Sequence, residues 1–106
     1  MSPSDNRQSP ALQRLIDGRL AELRVMTFEK VLGLPQRTIC QVTVGRTRFE
    51  VSEVVKQLPS GRLVVQIEAW KASAWRKPVQ VHLAGVIFSS SGRVRCASPE
   101  ELRELA

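Results

Sequence analysis

The sequence predicts an α+β domain: an N-terminal helix packed on a four- to five-stranded antiparallel meander sheet, followed by a short C-terminal helix. Three observations predict it. Leu12, Leu15, Ile16, Leu20 and Leu23 recur at the spacing of one apolar helical stripe. From Thr38 onward the apolar period changes to two. The runs of period two are joined by turns too short for the crossovers that parallel strands need. The sheet then has one apolar face and the helix one apolar stripe, so each covers the other.

The elements follow in order. Residues 1–8 are polar, contain a Pro and read as a mobile tail ahead of a single domain over 9–106. Ser9-Pro10 starts a helix well, since Ser caps and Pro at the first helical position loses no needed N–H. That helix runs from about 10 to 24 by its stripe, with Gly18 weakening its middle. Thr27 then caps a single helical turn through Phe28, Val31 and Leu32, which Gly33 and Pro35 end. A short strand is the rival reading of residues 25–35.

Cys40, Val42 and Val44 alternate with polar residues, as do Thr47, Phe49 and Val51. Gly45-Arg46 between them fits a type II′ turn that pairs Val44 with Thr47, Val42 with Phe49 and Cys40 with Val51. Leu58-Pro-Ser-Gly-Arg62 is a second turn, setting Val55 opposite Val65, Glu53 opposite Ile67 and Val51 opposite Ala69. Glu53 breaks the apolar face, which predicts a bulge or bend near Ser52-Glu53. Residues 71–77 connect to a strand through Val79, Val81 and Leu83 that continues to Phe88. Ser89–Gly92 turns into Val94 and Cys96, and Ser98-Pro99-Glu100-Glu101 is a capping box for the last helix, which carries Leu102 and Leu105.

A helix lying across such a meander resembles cystatin-like wrapping, and a partly open small barrel has the same element order.

Composition narrows the function classes. The chain has 106 residues, 16 Lys or Arg against 10 Asp or Glu, and a formal net charge of +6. Residues 1–99 hold 15 of the basic and 7 of the acidic side chains, whereas the last seven residues carry Glu100, Glu101 and Glu104 against Arg103. The cations are scattered singly, which argues against a nucleic-acid-binding tail. No apolar run approaches the ~20 residues that span a bilayer. MSPSDNRQSP has neither the basic start nor the apolar stretch of a secretory signal, so no membrane and a cytoplasmic location are expected. In that setting Cys40 and Cys96 read as free thiols, and their alternation with valine reads as burial.

Two surfaces emerge as candidates. The register places Glu50 opposite Trp70 and Ser52 opposite Glu68, with Arg48 diagonal to Trp70, on the polar sheet face. If the next strand is adjacent, His82 joins them, and Glu with His is an acid–base set. The competing reading is a solvated face with mixed charge. The second candidate is the segment with Trp70, Lys71, Trp75, Arg76 and Lys77. Trp and Arg are enriched in protein hot spots, and aromatic faces with cations also stack bases. Trp side chains closing the end of the core is the competing reading.

Catalytic chemistry finds little support. One His and two distant Cys give no zinc-ligand spacing. Inward Cys40 and Cys96 and outward His82 would lie on opposite sheet faces. Ser89–Ser91 lack a nucleophile elbow, and the six glycines form no phosphate loop. The expectation is a non-catalytic module without metal or cofactor that binds a protein partner or itself. The alternatives are a nucleic-acid-binding domain using the basic Trp/Arg loop, and a small-ligand site on the polar sheet face.

Overall fold

The computed structural model describes residues 10–71 and 77–105, with no side-chain account of Leu105. The expected N-terminal tail, Ser9, Trp75 and Arg76 lie outside the described residues. The elements are α1 (Pro10–Arg24), α2 (Phe28–Leu32), β1 (Arg37–Val44), β2 (Thr47–Gln57), β3 (Leu63–Lys71), β4 (Val79–Phe88), β5 (Val94–Ala97) and α3 (Pro99–Leu105). The strands form one antiparallel sheet in the order β1-β2-β3-β4-β5. The sheet does not close, since β1 and β5 are not paired.

Both β2 hairpins take the register that their turns dictate. Val44 pairs with Thr47, Val42 with Phe49 and Cys40 with Val51. Gly45 adopts φ +62° while no described non-glycine residue has positive φ, which fits a type II′ turn led by Gly. Val55 pairs with Val65 and Glu53 with Ile67, and the Leu58 N–H donates to the Arg62 carbonyl at 2.8 Å. Residues 25–35 contain the helical turn, where Thr27 Oγ1 accepts from the Lys30 N–H at 3.2 Å.

The core lies between α1, α2 and one sheet face. Leu12, Ile16, Leu23 and Val31 pack against Phe49, Leu63, Val65, Ile67, Val86 and Phe88. Leu15, placed on the helix stripe by sequence, is 55% exposed. It projects toward β1 and β2, which α1 covers incompletely, rather than over the centre of the sheet.

The opposite face has a smaller apolar cluster. Val64, Leu83 and Ile87 are covered by Leu102 of α3. Gly85 makes that seat: a Cβ there would come within 2.8 Å of Leu102 Cδ2 and 2.9 Å of the Val65 carbonyl oxygen. Ser98 caps α3, its Oγ accepting from the Glu101 N–H at 3.2 Å. The Glu101 carboxylate binds the Arg95 guanidinium through both oxygens rather than reaching back to the cap. That ion pair holds the Glu101 carboxyl below the usual carboxylate range.

The bulge expected near Ser52-Glu53 is absent. Glu53 stays in register on the apolar face and is neutralised there instead. Arg19 of α1 donates to its two oxygens at 2.7 and 3.0 Å. A charge facing the core thus found a partner in the covering helix, which removes the need for a kink. The register shift occurs at Ala69/Trp70 against β4.

Candidate functional site

The first strand of a meander has a neighbour on one side only. In β1 the sequence is RTICQVTV, and residues Arg37 to Gln41 are all exposed. Its inner side pairs with β2 over Arg37–Val44. The Val55 N–H donates to the Gln36 carbonyl at 2.9 Å. That bond makes Gln36 and Val55 a hydrogen-bonded pair, and such pairs alternate along an antiparallel ladder. Thr38, Cys40, Val42 and Val44 therefore bond inward to β2. The N–H and C=O groups of Arg37, Ile39, Gln41 and Thr43 point away from the sheet.

Nothing among the described residues pairs with that outer row. The usual protections of an edge are also thin here. Arg37 is the one charge in the strand, no Pro interrupts it, and its register with β2 is unbroken. Ile39 is 51% exposed. The sequence signal for this edge is weak: a long first strand of a meander with a single charge, Arg37.

Beside the edge, α1 and the α2–β1 connection leave an apolar groove of about 310 Å³. Thr38, Cys40, Val42 and Val51 belong to its sheet wall, and Leu15 and Leu34 to the other. The Arg19–Glu53 ion pair lies in it, with Glu53 only 14% exposed at its side chain. The bonded, partly buried pair raises the Arg19 pKa, led by the Glu53 hydrogen bond.

The thiols differ from expectation. Cys40 and Cys96 are free and exposed rather than buried. Both sit on the core side of the register, opposite Val51 and Val86. They stand on the two edge strands, beyond the cover that α1 and α2 give the central strands, so period two set the face but not the burial.

The polar face holds three of its four expected members. Glu50 pairs with Trp70, Ser52 with Glu68, and Arg48 with Thr43, all on the side away from α1. The Glu68 carboxylate is the hub: it accepts from Gln66 Nε2 at 2.6 Å and from Trp70 Nε1 at 3.3 Å. Gln41 Nε2 donates to Glu50 at 3.4 Å, extending the polar row to β1. Ser52 and Gln66 are buried within it.

His82 is not among them. The irregularity at Ala69/Trp70 inserts Val81 between the residues facing Ala69 and Trp70, so His82 stands opposite Ala69 on the α1 side. Burial lowers its pKa, while the Asp17 charge on α1 opposes that shift. The bulge separated His82 from Glu50 and Glu68, so the acid–base set is not assembled. His82 shares a face with Cys40 but is separated from it by β2 and β3.

Of the aromatic–basic segment, Trp70 is half-buried with its indole N–H engaged, and Lys71 and Lys77 are exposed. Trp75 and Arg76 are not described. At the other end of the sheet a broad hollow of about 730 Å³ is lined by Arg62, Arg93, Arg95, Ser89 and Ser91. Among the described residues no three His, Cys, Asp or Glu side chains group as metal ligands, and no helix is long and apolar enough to cross a membrane. Compared with protein-family models, curated proteins and solved structures, the chain gave no match.

Proposed function

We propose that this chain is a non-catalytic interaction module that takes up an extended strand along β1. One observation carries the reading: the outer N–H and C=O groups of Arg37, Ile39, Gln41 and Thr43 have no partner in the fold among the described residues. Strand addition satisfies such groups, and side chains of the added strand fall alternately on the two sheet faces. On one side they meet the apolar groove with Leu15, Leu34 and Cys40. On the other they meet the polar row that runs from Gln41 through Glu50 to Trp70.

The test is a labelled synthetic peptide of residues 37–44 carrying the Cys40→Ser replacement. Saturable binding with a Kd below about 1 mM is the expected result. A Gln41→Pro protein should bind it at least about tenfold more weakly, since Pro removes an outward N–H without removing a β1–β2 bond. No binding to the unmodified protein would end the strand-addition reading.

Nucleic-acid binding is a second reading, favoured by the hollow that gathers Arg62, Arg93 and Arg95 with two serines. Arg93 is exposed, whereas Arg95 is held by Glu101. It requires retention of a single-stranded oligonucleotide at ~50 mM salt, lost steeply as salt rises. Absence of retention at that salt removes it.

A further inference from the structure

We infer that the strand added to β1 is β1 of a second copy, in the one antiparallel register that places Cys40 opposite Cys40. This rests on the strand-addition reading above and names its partner. Only Arg37, Ile39, Gln41 and Thr43 face outward, so a second strand must set odd residues against odd ones. Even residues then also meet even ones. In β1 these are Thr38, Cys40, Val42 and Val44, which all lie on the core side of the sheet. Backbone and side chains therefore ask for the same pairing: apolar residues meet apolar residues on one face, and Ile39 meets Gln41 on the other.

Two-fold symmetry then selects the register. An isologous interface pairs a residue with its own symmetric counterpart at the axis. With Arg37 against Thr43 and Ile39 against Gln41, all four outward residues of both copies are engaged. Sliding either way by the next allowed step leaves an outward residue opposite Gly45 in the turn or Pro35 before the strand. The fully engaged register has Cys40 at the axis. Arg37, the one charge of the strand, faces Thr43, so no like charges oppose. The floor of the apolar groove continues across the axis through Thr38, Cys40 and Val42 of both copies, joining two open grooves into one. A second copy is thus complementary to this edge in hydrogen-bond pattern, side-chain pattern and charge.

The register makes a chemical forecast. Cys40 and its counterpart form a pair without direct backbone bonds, which brings Cα atoms to about 4.5 Å. That lies inside the span a disulfide bridges, about 4.4–6.8 Å. In the slipped registers the two thiols are diagonal, at about 7–8 Å, outside it.

The experiment uses the full chain. Sedimentation at about 100 µM under reducing conditions should show twice the 11.9 kDa monomer mass. Added diamide then takes two electrons and two protons from two Cys40 thiols, giving one S–S bond and the hydrazine. The covalent dimer should persist in Cys96→Ser and vanish in Cys40→Ser. A chain carrying I39K and Q41K places lysines opposite lysines and should be monomeric. Mixing it with a chain carrying I39E and Q41E should restore a mixed dimer. A monomer throughout, with the residues 37–44 peptide still binding, overturns the second copy but leaves strand addition standing. A dimer that diamide does not link through Cys40, or that both charged variants keep on their own, overturns the register.

Discussion

At the residue scale, Glu53 and His82 mark where alternation alone misleads. Period two assigned each to a sheet face, but neither its partner nor a register shift is written in the local sequence. Glu53 looked like an interruption and is instead a clamp between the sheet and α1, held by Arg19. Removing one partner leaves the other partly buried without its counter-charge. Arg19→Met should therefore cost about 1–3 kcal/mol in urea unfolding, less than a fully buried pair because Arg19 is about a third exposed. Arg19→Met with Glu53→Leu should recover most of that loss, because the pair sits in apolar surroundings. His82 gives a pH signature. Its folded-state pKa is lowered, so the unfolded chain binds its proton more readily. Its contribution is favourable above the ordinary value near ~6.5 and is lost as pH falls below it toward the lowered folded-state value. Stability measured between about pH 7.5 and pH 5 should fall on the acid side, and His82→Gln should flatten that part of the curve.

At the element scale, turns and helix starts were the legible features. Gly45-Arg46 and Leu58–Arg62 fixed two registers, because loop length and apolar alternation demanded the same pairing. Thr27 and Ser98 marked two helix starts through their side-chain oxygens. The seat of α3 was not legible, since its short apolar stripe does not say which sheet face it covers. Gly85 supplies the answer once the strands are paired, because its missing side chain lets Leu102 touch the strand backbone. Gly85→Ala should lower stability by about 1–3 kcal/mol through that overlap. Leu102→Ala should cost about 2–5 kcal/mol by emptying the small cluster with Val64, Leu83 and Ile87. Thermal or urea denaturation of the two variants measures both. If Gly85→Ala is neutral, α3 does not depend on that close seat.

At the scale of the whole molecule, the helices are unevenly placed over an open sheet. α1 and α2 cover the central strands of one face, α3 covers one end of the other, and the two edge strands extend past them. That arrangement exposes both thiols and leaves β1 with a row of backbone groups unpaired among the described residues. Of the candidate surface drawn from side-chain chemistry, Trp70 lies in the polar row, Lys71 is exposed opposite Phe49 on the other face, and Trp75 and Arg76 are not described. The edge was the less visible feature because its binding groups are backbone atoms, which every residue carries and no motif names. Their direction became readable only from the register and from the Val55–Gln36 bond. Residue-resolved amide exchange across β1, at protein concentrations about a hundredfold apart, tests this directly. Thr38, Cys40, Val42 and Val44 should be protected at both. Ile39, Gln41 and Thr43 should exchange rapidly when dilute and become protected when concentrated. Rapid exchange at those three amides at every concentration, in a chain whose even-numbered β1 amides stay protected, would contradict pairing of this edge with a second copy.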